Sequence, residues 1–195
     1  MPYTVHQIKF FAEQLMLKRP QHSIDGLASA MSGVKVDLNP HQVDAALFAL
    51  QSPLSNGALL ADEVGLGKTI EAGLVLAQCW SERKRKILLI VTATLRTQWR
   101  AELEEKFFIR SEILESKNYN KAKKENPSCN PFLAQDAVVI CSYNFASAKM
   151  RDILLIDWDL VIMDEAHKLR NVYKKNNVMG NNLKTALRGR KKLLL

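Results

Sequence analysis

Hydrophobic positions along this chain fall into two alternating patterns. Short, nearly unbroken apolar runs predict strands at 57–61, 86–92, 137–142, 160–163 and 192–195, with a briefer one at 112–115. Between them the apolar residues space out with helical periodicity, predicting helices from 68 to about 83, from 94 to about 108, and over 144–155 and 176–188. Asn39-Pro40 opens another helix that runs to about Leu50, since proline near a helix start gives up an N–H that has no partner there. Strands that are continuously apolar, rather than alternating, are what a parallel sheet covered on both faces requires. Strand–helix alternation of this kind predicts an α/β, doubly wound, mainly parallel domain.

Two stretches depart from the alternation. Thr4 followed by Val5, Ile8, Phe11 and Leu15 predicts a capped amphipathic helix, and a second helical stretch runs from Ser23 to about Gly33. Residues 1–35 are therefore expected to form a small helical extension ahead of a main domain over 36–195. The polar, lysine-rich "SKNYNKAKKENPSCNP" (116–131) is predicted to be an exposed loop. The closing "KKLLL" reads as a strand that should continue into more chain.

Composition narrows the class. A chain of 195 residues, 47% hydrophobic and 25% charged, suits one soluble domain. Its apolar runs are strand-sized, far from the roughly 20 residues that span a bilayer, so no membrane partner is expected. The N-terminus lacks the pattern of a secretory signal. Cys79, Cys129 and Cys141 are too few and too scattered for a disulfide framework or a CxxC metal site; a reducing cytoplasm fits. The net charge of +8 is unevenly placed. Residues 166–195 hold nine of the 28 Lys and Arg residues and none of the 20 Asp and Glu. Such asymmetry suits either a polyanionic partner or a solvated basic face.

The candidate chemistry lies in two places. "LLADEVGLGKTIEAG" (59–73) joins a strand to a helix through a glycine-rich turn. Backbone N–H groups at such a helix start form an anion cradle. Gly65 and Gly67 give the freedom and close approach it needs, Lys68 reaches the terminal phosphates and Thr69 offers a hydroxyl to Mg²⁺. Asp62 stands where the general phosphate-loop pattern has its first glycine. Downstream, "DLVIMDEAHKL" ends an apolar strand in two acids. Asp164 could hold the Mg²⁺ shell and Glu165 could position a water, or the pair could merely cap the next helix. Trp80, Trp99 and Trp158 are expected in the core or beside the sheet rather than as base-stacking platforms.

Together these stretches resemble a known family. Asp164-Glu165-Ala166-His167 matches the DEAH form of the superfamily 2 helicase-like motors, and "DEVGLGKT" resembles the phosphate loop of their Swi/Snf-type ATPases. The longer phosphate-loop segment is most similar to the bacterial branch that includes an RNA polymerase-recycling ATPase. The resemblance implies a RecA-like ATP-binding lobe with ATP and Mg²⁺ as ligands. Asp62, Glu63, Gly65, Leu66, Gly67, Lys68 and Thr69 would then surround the phosphates, and Gln42 in "LNPHQ" would contact the adenine edge. Lys68, Asp164 and Glu165 would be catalytic, with Thr69 and Asp164 on the metal and His167 coupling the site to a second lobe. "LLIVTATLRTQWRAEL" and "VVICSYNF" resemble segments touching nucleic-acid backbone, which places Thr94, Arg96 and Ser142 on duplex DNA. Ala93 stands where the family usually has proline.

The likeness runs from about Leu38 to Leu195 and implies a first lobe that stops short of the family's coupling motif and second lobe. That second lobe carries the arginine finger, and Arg170, Arg188 and Arg190 are not expected to face the phosphates in its stead. RNA polymerase or another DNA-bound protein is an implied partner. A strand-separating helicase, a restriction-system translocase and a non-motor nucleotide-binding module remain alternatives. A GTPase would want Asn-Lys-x-Asp and an ABC ATPase its signature sequence, and the chain has neither.

Overall fold

The computed structural model describes residues 34–35, 39–51, 57–61, 67–133, 136–170 and 177–195. The two expected N-terminal helices lie outside these residues, as do Asp62, Glu63, Gly65 and Leu66. Helix α1 (Pro40–Gln51) leads to β1 (Gly57–Leu59), α2 (Lys68–Ser81), β2 (Ile87–Val91), α3 (Arg96–Lys106) and β3 (Ser111–Ile113). There follow α4 (Ser116–Glu125), β4 (Val138–Ser142), α5 (Tyr143–Ala148), α6 (Met150–Leu154), β5 (Leu160–Met163), a 3-10 turn (Ala166–Leu169), α7 (Val178–Ala186) and β6 (Lys192–Leu194).

All six strands form one sheet in the order β1-β6-β5-β2-β4-β3, and every neighbouring pair is parallel. Successive strand residues point to opposite faces, and on the central strands β5, β2 and β4 both faces are buried. Ile87, Leu89 and Val91 join Ile140, Ile162 and Leu193 in a layer with Ala72, Leu76, Trp99 and Leu103. Leu88 and Ile90 face the other way, packing with Cys141, Val161 and Met163 against Phe132, Ile153, Trp158 and Leu183. β2 is buried at all five positions, which explains its unbroken apolar sequence. Among the described residues no helix is long and apolar enough to cross a membrane.

The expected loop at 116–131 is wrong in its first part, because 116–125 is helical. Lysine is a good helix former, so polarity alone does not argue for a loop. The helix start is closed by a reciprocal capping box, in which the Glu115 side chain accepts from the backbone N–H of Asn118 and Asn118 Oδ1 accepts from the Glu115 N–H at 2.7 Å. Tyr119 anchors it, packing edge-on against Phe132 and Phe145. The expected helix at 144–155 is broken at Lys149, whose N–H bonds back to Phe145 and Ala146. Ala146 of α5 and Ile153 of α6 are buried in the same layer.

Candidate nucleotide site

A cleft of roughly 860 Å³ opens at the carboxyl ends of β1, β6 and β5 and beside the start of α3. Its lining includes Leu59, Leu60 and Ala61 after β1, Leu194 and Leu195 at β6, and Leu95, Gln98 and Trp99 at the start of α3. Ligands of open parallel sheets settle at this edge, because helix N-termini converge there.

Gly67 is the N-cap of α2, with φ 91° and ψ 36°, a left-handed conformation that glycine adopts without penalty. A β-carbon there would stand 2.5 Å from Gln42 Nε2. The backbone conformation favours glycine, and the close approach puts the expected adenine reader directly against the phosphate loop's last glycine. Gln42 is 5% exposed, and its Oε1 accepts the Asn39 N–H at 3.2 Å. Among the described residues no side chain caps α2 at Gly67, and the first turn of this 14-residue helix begins at the cleft, where helix N–H groups lack intrahelical partners. Lys68 and Thr69 line the same wall.

Asp164, directly after β5, lines the same cleft. Its N–H donates to the Ile90 carbonyl at 3.0 Å, which extends the sheet by one rung. Its carbonyl accepts the Tyr143 hydroxyl at 2.7 Å. Its carboxylate takes the Glu165 N–H on Oδ1 and the Trp99 indole N–H on Oδ2, each at 2.8 Å. Burial raises the Tyr143 phenol well above its usual range, reinforced by the charges of Asp164 and Glu165, so it stays a donor. Glu165 sits at φ 57° and ψ 46° without being glycine or asparagine, a strained backbone of the kind that collects at functional sites. Its Oε2 lies 3.0 Å from His167 Nδ1.

Lys68, Thr69, Asp164, Glu165 and His167 therefore line one cleft, and Gln42 borders it through Gly67. The donor set fits a magnesium nucleotide: uncapped helix N–H groups and an ammonium for phosphate, with a hydroxyl and a carboxylate for a hard cation. Among the described residues no cluster of three or more His, Cys, Asp or Glu could hold a metal by itself. Arg170, not expected to face the phosphates, is also part of the cleft lining.

The expected nucleic-acid residues lie elsewhere. Thr94 follows β2 on the exposed turn, its hydroxyl 3.0 Å from that of Thr92. Arg96 opens α3, holding the Ala93 carbonyl with Nε at 3.1 Å and Glu115 Oε2 with Nη1 at 3.2 Å. Ser142 ends β4, but its hydroxyl is turned back to cap α5, accepting the Phe145 N–H at 3.3 Å. Trp99 and Trp158 are 2% and 4% exposed, in keeping with core positions. Sequence reasoning missed Trp99's bond to Asp164, for which the only sequence signal was an indole N–H that burial obliges to find an acceptor.

A six-stranded parallel sheet in this order, with helices on both faces, is a RecA-like lobe. The chain belongs to the SNF2-related domain family, whose model matches residues 11–195. It is similar to the RNA polymerase-associated protein RapA of three bacteria. The Yersinia enterocolitica protein is 37% identical over 145 residues, 72% of this chain and 15% of that protein. The Pectobacterium atrosepticum protein is 36% identical over 143 residues, 71% of this chain and 14% of that protein. The Serratia proteamaculans protein is 35% identical over 145 residues, 72% and 15% respectively. The chain thus spans about one seventh of these relatives' length. The Sulfolobus solfataricus SWI2/SNF2 ATPase core in complex with dsDNA shares the fold, with a TM-score of 0.65 at 20% identity, covering 83% of this chain and 32% of that one.

Proposed function

We propose that this chain is the ATP-binding first lobe, over 36–195, of a cytoplasmic DNA-dependent motor. One observation carries the reading: the uncapped start of α2, with Lys68 and Thr69, and the strained end of β5, with Asp164 and Glu165, line the same cleft. In this role Lys68 and the α2 N–H groups hold the β- and γ-phosphates, and Gln42 favours adenine. Asp62, Glu63, Gly65 and Leu66 complete the phosphate loop. Thr69 and Asp164 hold Mg²⁺, which neutralises charge on the transferring phosphoryl group when bound. Glu165 orients the attacking water and accepts its proton as the bond to the γ-phosphorus forms and ADP leaves. His167, on the Glu165 carboxylate, links that base to the coupling surface.

The DNA-bound structural relative supports a duplex track, and the name RNA polymerase-associated protein supports a polymerase or similar DNA-bound target. Thr94 and Arg96 present the phosphate-facing edge, with Ser142 beside them. Titration of the chain with Mg·ATP and Mg·GTP tests the reading. ATP should bind more tightly than GTP, and Lys68→Ala should weaken ATP binding roughly tenfold or more, by removing a charged hydrogen bond. Undiminished binding by that variant would remove the site.

A further inference from the structure

Two tryptophans are buried in the lobe, and each must satisfy an indole N–H away from water. Trp158 does so conventionally, donating to the Ile153 carbonyl at 3.0 Å. Trp99 donates instead to a side chain, Asp164 Oδ2, across 65 residues of sequence. A buried indole N–H needs an acceptor, and here that acceptor is a carboxylate at the cleft rather than a backbone carbonyl.

What the bond does is clear from the rest of Asp164. The backbone N–H and C=O are tied to Ile90 and Tyr143, which fixes where the residue sits but leaves the carboxylate free to turn. Oδ1 takes only the N–H of the next residue, a local contact that moves with the same backbone. Trp99 is the contact that ties the carboxylate to a different element, α3, whose ring is locked in the core at 2% exposure. With one N–H donor on each oxygen, the carboxylate plane is set and a lone pair of each oxygen remains for the cleft. We propose that Trp99 is a positioning residue that holds the Asp164 carboxylate in the orientation needed for the metal-bearing nucleotide. This rests on the nucleotide reading of the cleft and assigns a role in it to a residue outside the phosphate loop and the acidic strand end.

Phenylalanine keeps an aromatic ring in the pocket and deletes the N–H, so Trp99→Phe separates positioning from packing. Support around a metal ligand is typically worth 10–100-fold in metal affinity. In the 195-residue chain, Trp99→Phe should leave affinity for ADP in EDTA within about twofold of wild type. It should reduce the gain in ADP affinity on adding Mg²⁺ by about tenfold. A merely structural role would weaken both measurements together. An equal gain from Mg²⁺ in variant and wild type would overturn the proposal.

A second measurement needs no Trp99 variant to fold. The ¹⁵N spectrum holds three indole signals, from Trp80, Trp99 and Trp158. Asp164→Asn should move the Trp99 indole signal and leave that of Trp158 in place. Adding Mg²⁺ to ADP-bound wild type should do the same, and a Trp99 signal indifferent to both would also overturn the proposal. Failure of the wild-type chain to bind any nucleotide is a different result: it defeats the nucleotide reading itself, and the inference falls with it.

Discussion

The Arg96 guanidinium lies 3.2 Å from the Glu115 carboxylate, joining the first turn of α3 to the cap of α4. An arginine proposed to meet a DNA phosphate is therefore already engaged with an internal carboxylate. The two anions compete for it. Glu115→Gln keeps the capping oxygen and removes the charge, so α4 should persist. An exposed ion pair of this kind is worth up to about 1 kcal/mol, so duplex DNA should bind roughly twofold to fivefold more tightly. In an Arg96→Ala background the gain should disappear. Fluorescence anisotropy with a labelled duplex at fixed salt measures both, and a gain that survives without Arg96 would show that Glu115 acts only as a repelling charge.

The lobe should be a poor ATPase by itself. Its cleft brings together Lys68, Asp164 and Glu165, but a supplied arginine finger is worth roughly 10³–10⁵ in rate. Turnover of the 195-residue chain with saturating duplex should stay below about one per second, and Glu165→Gln should abolish what remains while nucleotide binding persists. Arg170 reaches the cleft wall, so fast turnover sensitive to Arg170→Ala would show that the lobe completes its own site.

Gly73 lies mid-helix in α2, where alanine would ordinarily be favoured by close to 1 kcal/mol. Here a β-carbon would run into the tip of the Phe107 ring, which is itself buried. Overpacking wins, so Gly73→Ala should cost about 1–3 kcal/mol in urea unfolding. Adding Phe107→Leu should recover part of that loss, and a stabilised Gly73→Ala protein would contradict the packing described.

Burial pushes the Cys79 thiol up to about 11, against a smaller opposing pull from Lys84, and pushes Cys141 up to about 12. A group whose folded pKa is raised stabilises the fold fully below its unfolded value near 9 and loses that contribution as pH climbs to the folded value. Stability should therefore decline between about pH 9 and 12, and less steeply in a Cys79→Ala, Cys141→Ala double variant. In the native chain at pH 8, an alkylating reagent should modify the half-buried Cys129 well before either of the other two.

The sheet was readable because burial on both faces leaves no room for polar positions, and Ile87–Val91 shows this most plainly. Gly67, Lys68 and Thr69 were readable because a phosphate cradle is built from neighbours in sequence. α4 was not, since one anchoring ring, Tyr119, is too weak a periodic signal among lysines whose helix propensity is easily underrated. The Trp99–Asp164 bond and the Arg96–Glu115 pair join distant residues, and no local pattern encodes them. The left-handed backbone at Glu165 was equally invisible, because the surrounding structure imposes it against the residue's own preference.

In the sheet, β6 separates β1 from the other four strands. Among the described residues the strand that leads into the phosphate loop is thus paired to the rest only through residues 192–194, with Gly57 opposite Lys192. Gly57 backs so closely on the Lys192 carbonyl that a β-carbon would collide with it. As the chain emerges from the ribosome, β2, β3, β4 and β5 can pair while β1, made earlier than any of them, still waits for its neighbour. Loop closure over so long a separation is slow, so the nucleotide pocket should be the last part of the lobe to assemble. A nascent chain should therefore gain the means to grip ATP only after residues 192–194 have been synthesised, so nucleotide should not serve as an early template for the pairing of β2 to β5.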